Sequence, residues 1–145
     1  MFTRTQADLT AIDGIDFPNR YFRIWTYYKG HRQLILRAPH FKSIQEPTFP
    51  TRVDVLFKNV HALKLPTNML GLSVSIAHAD MADQIAREIA LPLYGDQNIY
   101  LVHGSDYAGY VVAGTVVMVE DNGDDDAPSP LMPYVRTVID PTSQG

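Results

Sequence analysis

The 145-residue sequence predicts a β-rich α+β fold in one domain spanning residues 1–145. The expected architecture is a mostly antiparallel curved sheet, as a sandwich or partly open barrel, with one short helix at about residues 80–91 packed on it. Three observations carry this. Several short runs are rich in aromatic and β-branched residues, and some alternate apolar with polar positions as half-buried strands do. Only one run repeats apolar residues every four positions. No repeat or linker divides the chain, and a chain of this length buries about 68–70% of its unfolded surface in one core.

The elements follow in order. LTAIDGIDFP alternates weakly, as an edge strand would, and ends in a Pro18-Asn19 turn signal. YFRIWTYY (21–28) and QLILR read as the two strands of a hairpin. A two-residue turn at Lys29-Gly30 would set Tyr28 opposite His31, Trp25 opposite Leu34 and Arg23 opposite Leu36, and a longer loop would shift these pairs. Residues 38–50, with three prolines, form a loop. TRVDVLF alternates Val53, Val55 and Phe57 against Arg52, Asp54 and Leu56. Asn59 permits a turn or bulge before VHALKL. GLSVSIAH sets Leu72, Val74 and Ile76 against Ser73 and Ser75.

The helix is predicted from Asp80 as N-cap, the stripe Met81, Ile85 and Ile89, the Asp83/Arg87 pair, and Pro92 as its stop. NIYLVHG is a further strand. YVVAGTVVMVED is apolar on both faces, as a central strand covered on both sides would be, with Gly114 marking a bulge or a close backbone approach. An acidic loop, DNGDDDAPSP, a short strand, YVRTVI, and a loose tail after about residue 140 complete the chain.

Composition narrows the function. With no cysteine, a disulfide framework, a thiolate nucleophile and a cysteine zinc site are excluded. The first 18 residues carry three aspartates and no continuous apolar run, and the longest uncharged apolar stretch has ten residues where a spanning helix needs about 20. The expectation is a soluble, cytoplasmic bacterial protein with no membrane association. Charge is segregated. Residues 20–64 hold nine of the 12 Lys/Arg and two acids, a balance of +7 that leaves −11 elsewhere and −4 overall. Such a layout either steers a partner or joins two parts of one fold.

Motifs for chemistry are sparse. The five histidines lack the spacing that places two imidazoles on one face, so no metal site and no cofactor is expected. Asp121 to Asp126 offers oxygen ligands but not the EF-hand order. His103-Gly104-Ser105-Asp106 gathers an imidazole, a hydroxyl and a carboxylate, yet reads more economically as a turn. Residues 20–40 interleave five aromatics with five Lys/Arg, material both for a core and for a recognition surface.

The leading functional reading is therefore a non-catalytic protein–protein binding module, immunity-type or adaptor-like, that contacts a partner through Arg23, Tyr27, Arg32 and Arg37. The composition leaves a homo-oligomer open. One alternative is a small enzyme or small-molecule-binding domain using His31, His103, Asp106 and Tyr107. The other is single-stranded nucleic-acid binding through the 20–40 hairpin, which the acidic overall charge disfavours.

Overall fold

A computed structural model describes residues 2–4, 15–40, 49–90 and 95–132. They form one open antiparallel sheet of nine strands with a single helix. The strands are β1 (Phe2–Arg4), β2 (Asp16–Tyr28), β3 (Gln33–Ala38), β4 (Arg52–Lys58), β5 (Ala62–Lys64), β6 (Asn68–Ile76), β7 (Asn98–His103), β8 (Ala108–Ala113) and β9 (Thr115–Asp121), and helix α1 is Ala79–Ile89. Across the sheet the order is β1-β9-β4-β3-β2-β6-β7-β8-β5.

The sheet curls because β8 and β9 follow one another with only Gly114 between them, yet pair with β7 and β4 respectively. The N–H of Gly114 donates to Lys58 O at 2.9 Å, and that of His61 donates to Val112 O at 2.8 Å, tying this corner to the end of β4. An added Cβ at Gly114 would press on the Asn59 side chain at 3.3 Å. The corner also swaps faces. Val111 and Ala113 join Val116 and Met118 in the main core, while Tyr110, Val112 and Val117 lie on the other face. The sequence reading of one strand with a bulge at Gly114 is thus refined to two strands and a change of parity.

The main core also takes Phe22, Leu36, Val55, Phe57, Met69, Val74 and Tyr100, with the rings of Phe57 and Tyr100 edge-on at 5.8 Å. The opposite face has two covers. Over β7 and β8, Ile85 of α1 packs on Ile99 and Val112. Over β3, β4 and β9, the segment after β9 lays Met132 on Ile35, Leu56 and Val117. Both faces of β9 are therefore buried, as its two-sided apolarity predicts.

Several local expectations are corrected. Pro18-Asn19 is not a turn. It lies inside β2 at a register irregularity against β6, where Gly71 adopts φ +78° and an added Cβ would meet Pro18 O at 3.0 Å. Proline donates no ladder bond, and the irregularity with its facing glycine accommodates it. The N-cap of α1 is His78, with Asp80 in the first turn. Within the expected stripe Ile85 is buried, Ile89 is partly covered and Met81 stays 47% exposed. The helix ends at Ala90, whose left-handed conformation returns its N–H to Ala86 O. Pro92, residues 9–14, the YVRTVI run and the tail lie outside the described residues. No described helix is long and apolar enough to cross a membrane.

Candidate interaction surface

The hairpin of β2 and β3 holds most of the predicted site residues, and its loop has four residues rather than two. Tyr28 pairs with Gln33, Tyr27 with Leu34, Thr26 with Ile35, Ile24 with Leu36 and Arg23 with Arg37, and Trp25 occupies a bulge. The loop is closed by the N–H groups of His31 and Arg32, which donate to Tyr28 O and Lys29 O at 3.3 Å. Arg32 takes φ +52°, and its carbonyl accepts from Val60 N–H at 2.8 Å, pinning the loop to the end of β4.

This register divides the basic segment into two populations. Arg20, Arg37 and Arg52 are buried and spent within the fold. Arg37 donates from Nε to Asp54 Oδ1 at 2.7 Å and from Nη2 to Oδ2 at 3.0 Å, while Nη1 donates to the carbonyls of Asp125 and Ala127. Its guanidinium also stacks on Trp25, 4.4 Å from the ring centroid. Arg52 repeats the arrangement: both oxygens of Asp121 accept at 3.0 Å, and Asp124 O and Ala127 O take Nη1. Arg20 donates to Thr51 O at 2.7 Å and lies over the Phe49 ring. Burial lowers its pKa, against the opposing pull of Glu120 and Asp125.

The receiving acids respond accordingly. Burial alone would raise the Asp121 carboxyl, but bonds from Arg52 and the Gly123 N–H hold it below the usual range. Burial likewise opposes ionisation of Asp125, and the backbone and ring of His40 outweigh it. Two aligned arginine forks thus strap the acidic loop across the sheet, and with Arg20 three of the nine cations of residues 20–64 are used internally. Arg37 is withdrawn from the partner surface: it is fully buried and its donors are occupied.

The second population is exposed. Tyr27 (44% exposed), Tyr28 (37%), Lys29, His31 and Arg32 lie at the outer end of the hairpin, with Lys58 at the neighbouring end of β4 and Arg23 further back along β2. Among the described residues no carboxylate pairs with Arg23, Lys29, Arg32 or Lys58. The side chains of the tip also pack on one another. The Tyr28 ring folds over Gly30, where an added Cβ would sit 3.2 Å from it, and packs against His31 at 5.2 Å between centroids with the rings tilted by 47°. Arg32 Nη1 lies 3.4 Å from His61 Nε2. Lys58 and His61 were not placed beside the 20–40 hairpin from sequence, because their approach to its tip depends on the four-residue loop and on the β3–β4 pairing.

Of the residues named for chemistry, His103, Asp106 and Tyr107 border one turn after β7 and His31 lies far from them. Asp16, Ser73 and His103 are cross-strand neighbours at one end of β2, and His31 lies beyond its other end. The 13 residues of β2 between them span on the order of 40 Å of strand at ~3.3 Å per residue. The turn after β7 is structural: Gly104 N–H donates to Tyr107 O, Ser105 N–H to Leu70 O, and the Tyr107 hydroxyl to Gly71 O at 2.7 Å. Burial, aided by Asp106, pushes the Tyr107 phenol up to about 12, so it holds its proton. A cleft of about 240 Å³ beside Ser73 and another of about 320 Å³ between α1 and β7–β8 each contain His103 and none of the other three candidates. Among the described residues no cluster of three His, Cys, Asp or Glu side chains could hold a metal ion.

Compared with known proteins, the chain matches no protein-family model, no curated protein and no solved structure.

Proposed function

We propose that the protein is a non-catalytic protein–protein binding module whose recognition surface is the outer end of the β2–β3 hairpin. The observation that carries this is the pair of exposed tyrosines at the hairpin tip, with Lys29 and Arg32 beside them and Arg23 further along β2, none of these cations having a carboxylate partner among the described residues. Tyrosine and arginine are the side chains enriched at interface hot spots, where they bury large areas at small conformational cost. Unpaired cations steer an acidic partner toward the site. An immunity-type or adaptor-like role accords with a small module of this kind; His31 lies far from His103, Asp106 and Tyr107, and the turn that carries these three is held by backbone hydrogen bonds.

The test is quantitative capture from a lysate with the wild type and with Arg32→Glu, Arg32 being exposed and outside the clamp. The expected result is a stoichiometric protein that survives nuclease treatment and is lost with Arg32→Glu while the melting temperature is unchanged. A captured protein that binds Arg32→Glu equally well refutes the assignment of the surface. Nuclease-sensitive capture refutes the class of partner.

A further inference from the structure

We infer that the partner enters as an extended acidic segment that adds a strand to the sheet along Thr26–Tyr28, an inference that rests on the hairpin tip being the recognition surface. The first ground is the backbone. β6 accompanies β2 only as far as the Arg23–Asn68 pair, and the last bond between them is Ile24 N–H to Thr67 O at 3.2 Å. Before Asn68 the chain runs off through Pro66 and Leu65 to β5, which pairs with β8 at the far end of the sheet. Thr26, Tyr27 and Tyr28 continue to pair with β3 on one side. On the other side, among the described residues, no strand lies beside them. An unpaired edge is a template for another strand, and addition there supplies main-chain hydrogen bonds without regard to sequence.

The second ground is the order of side chains along that edge. Tyr27 pairs with the core residue Leu34, whereas Tyr28 pairs with Gln33, so the two rings leave opposite faces of the sheet. An added strand would run between them, each ring covering the residue beside it, as cross-strand aromatic pairs do. Arg23 stands at one end of the edge and Lys29 and Arg32 at the other, all exposed. Six positions separate Arg23 from Lys29, about 20 Å at ~3.3 Å per residue. The matching ligand has acidic residues five to six positions apart flanking a short β-prone stretch. Phosphates would meet the cations but could not use the alternating donors and acceptors of a strand edge, which favours a polypeptide over a nucleic acid.

The experiment selects a displayed library of random ten-residue peptides on the full chain. Enriched peptides are then synthesised with plain and with alternately N-methylated backbones. They are titrated by amide NMR against wild type and Arg32→Glu, with twelve-base oligothymidylate as a parallel probe. The expected result is enrichment of acidic residues flanking β-branched or aromatic ones, slowed exchange of amides within Thr26–Tyr28, and a roughly tenfold loss on N-methylation, as removal of one or two hydrogen bonds implies. Peptides that are lost with Arg32→Glu but tolerate N-methylation overturn strand addition and leave the tip as the binding surface. Peptides indifferent to Arg32→Glu, no enrichment, or binding of oligothymidylate alone overturn both. Self-association of Arg32→Glu without loss of any peptide shows the cations to be edge guards and also overturns the inference.

Discussion

Removing Asp54 will show how much the arginine clamp contributes. Asp54 and Arg37 are both essentially inaccessible, and the carboxylate takes two of the guanidinium's bonds. In Asp54→Ala the cation stays buried without its counter-charge, a situation that costs roughly 3–5 kcal/mol. Arg37→Met leaves the reverse fault, a buried carboxylate without a cation, at similar cost. For a domain whose total stability is about 5–15 kcal/mol, either loss is a large fraction. It lowers the melting temperature by roughly 10–20 °C at ~3–4 °C per kcal/mol for this size. The double variant Arg37→Met/Asp54→Leu removes both charges together. It leaves Asp125 O short of a partner while Ala127 O keeps Arg52, so its cost falls to about 1–3 kcal/mol, below either single change. Urea unfolding followed by circular dichroism measures all three variants. A loss under ~1 kcal/mol in Asp54→Ala, or a double variant as damaged as the two singles added together, would refute the description of this pair as a desolvated clamp.

Other predictions test separate parts of the structure. Gly109→Ala would place a Cβ 1.9 Å from the Lys64 carbonyl, so β5 must lift from β8 at a cost of about 1–3 kcal/mol, whereas Gly95→Ala, with nothing within 4 Å, is neutral in the same thermal melts. Asp121 and Asp125 have folded-state pKa values depressed below 3.8, so their contribution is complete above that value and is lost as pH falls through and below it. Acid titration of stability will show this loss, and Asp121→Asn will flatten it. Tyr107 titrates near 12 instead of 10, so the stability it lends below pH 10 drains between pH 10 and 12. Absorbance at the tyrosinate band should show a late-ionising fraction, which Tyr107→Phe reduces and to which the buried Tyr110, also raised by burial, continues to contribute.

The parts of the fold that follow from local chemistry were legible. The run from Tyr110 to Val119 announced a strand covered on both sides, and Gly114 announced its interruption. Ile85 and Ile89 marked the helix face that packs on the sheet. What failed depended on loop length. Lys29-Gly30 suits a two-residue turn poorly, yet nothing in its composition reveals that Arg32 will accept φ +52° and extend the loop to four residues. That choice moves the hairpin register, and the β3–β4 pairing, equally hidden in the sequence, sets Arg37 opposite Asp54 and buries it instead of leaving it on the rim. A signal for the clamp did exist. Asp54 interrupts the apolar run Val53 to Phe57, and Arg37 ends the run Leu34 to Leu36. Two opposite charges, each embedded in a strand otherwise apolar, are tolerable only when they meet.

The same division explains why net charge misdirects a search for this protein's surface. A count over residues 20–64 gives +7, as though the whole segment faced a partner. Arg20, Arg37 and Arg52 subtract themselves from that field by binding carboxylates and carbonyls of the protein's own acidic loop and its neighbours. Their desolvation is tolerable because forked guanidiniums meet paired acceptors, a geometry lysine could not reproduce. Arg23, Lys29, Arg32 and Lys58 remain in water, where an unpaired charge costs little to hold and acts at a distance of about a Debye length, ~8 Å at physiological salt. Internal charge therefore builds the base of the hairpin, and external charge runs from Arg23 along the exposed side to Lys29 and Arg32 at its tip. Reversing Lys29 or Arg32 should slow association with an acidic partner, most strongly at low salt, while leaving the melting temperature in place. Replacing Arg37 should do the opposite, lowering the melting temperature first and affecting binding only through the loosened hairpin. An Arg37 variant that folds as stably as the wild type and yet loses the partner would break this separation of roles.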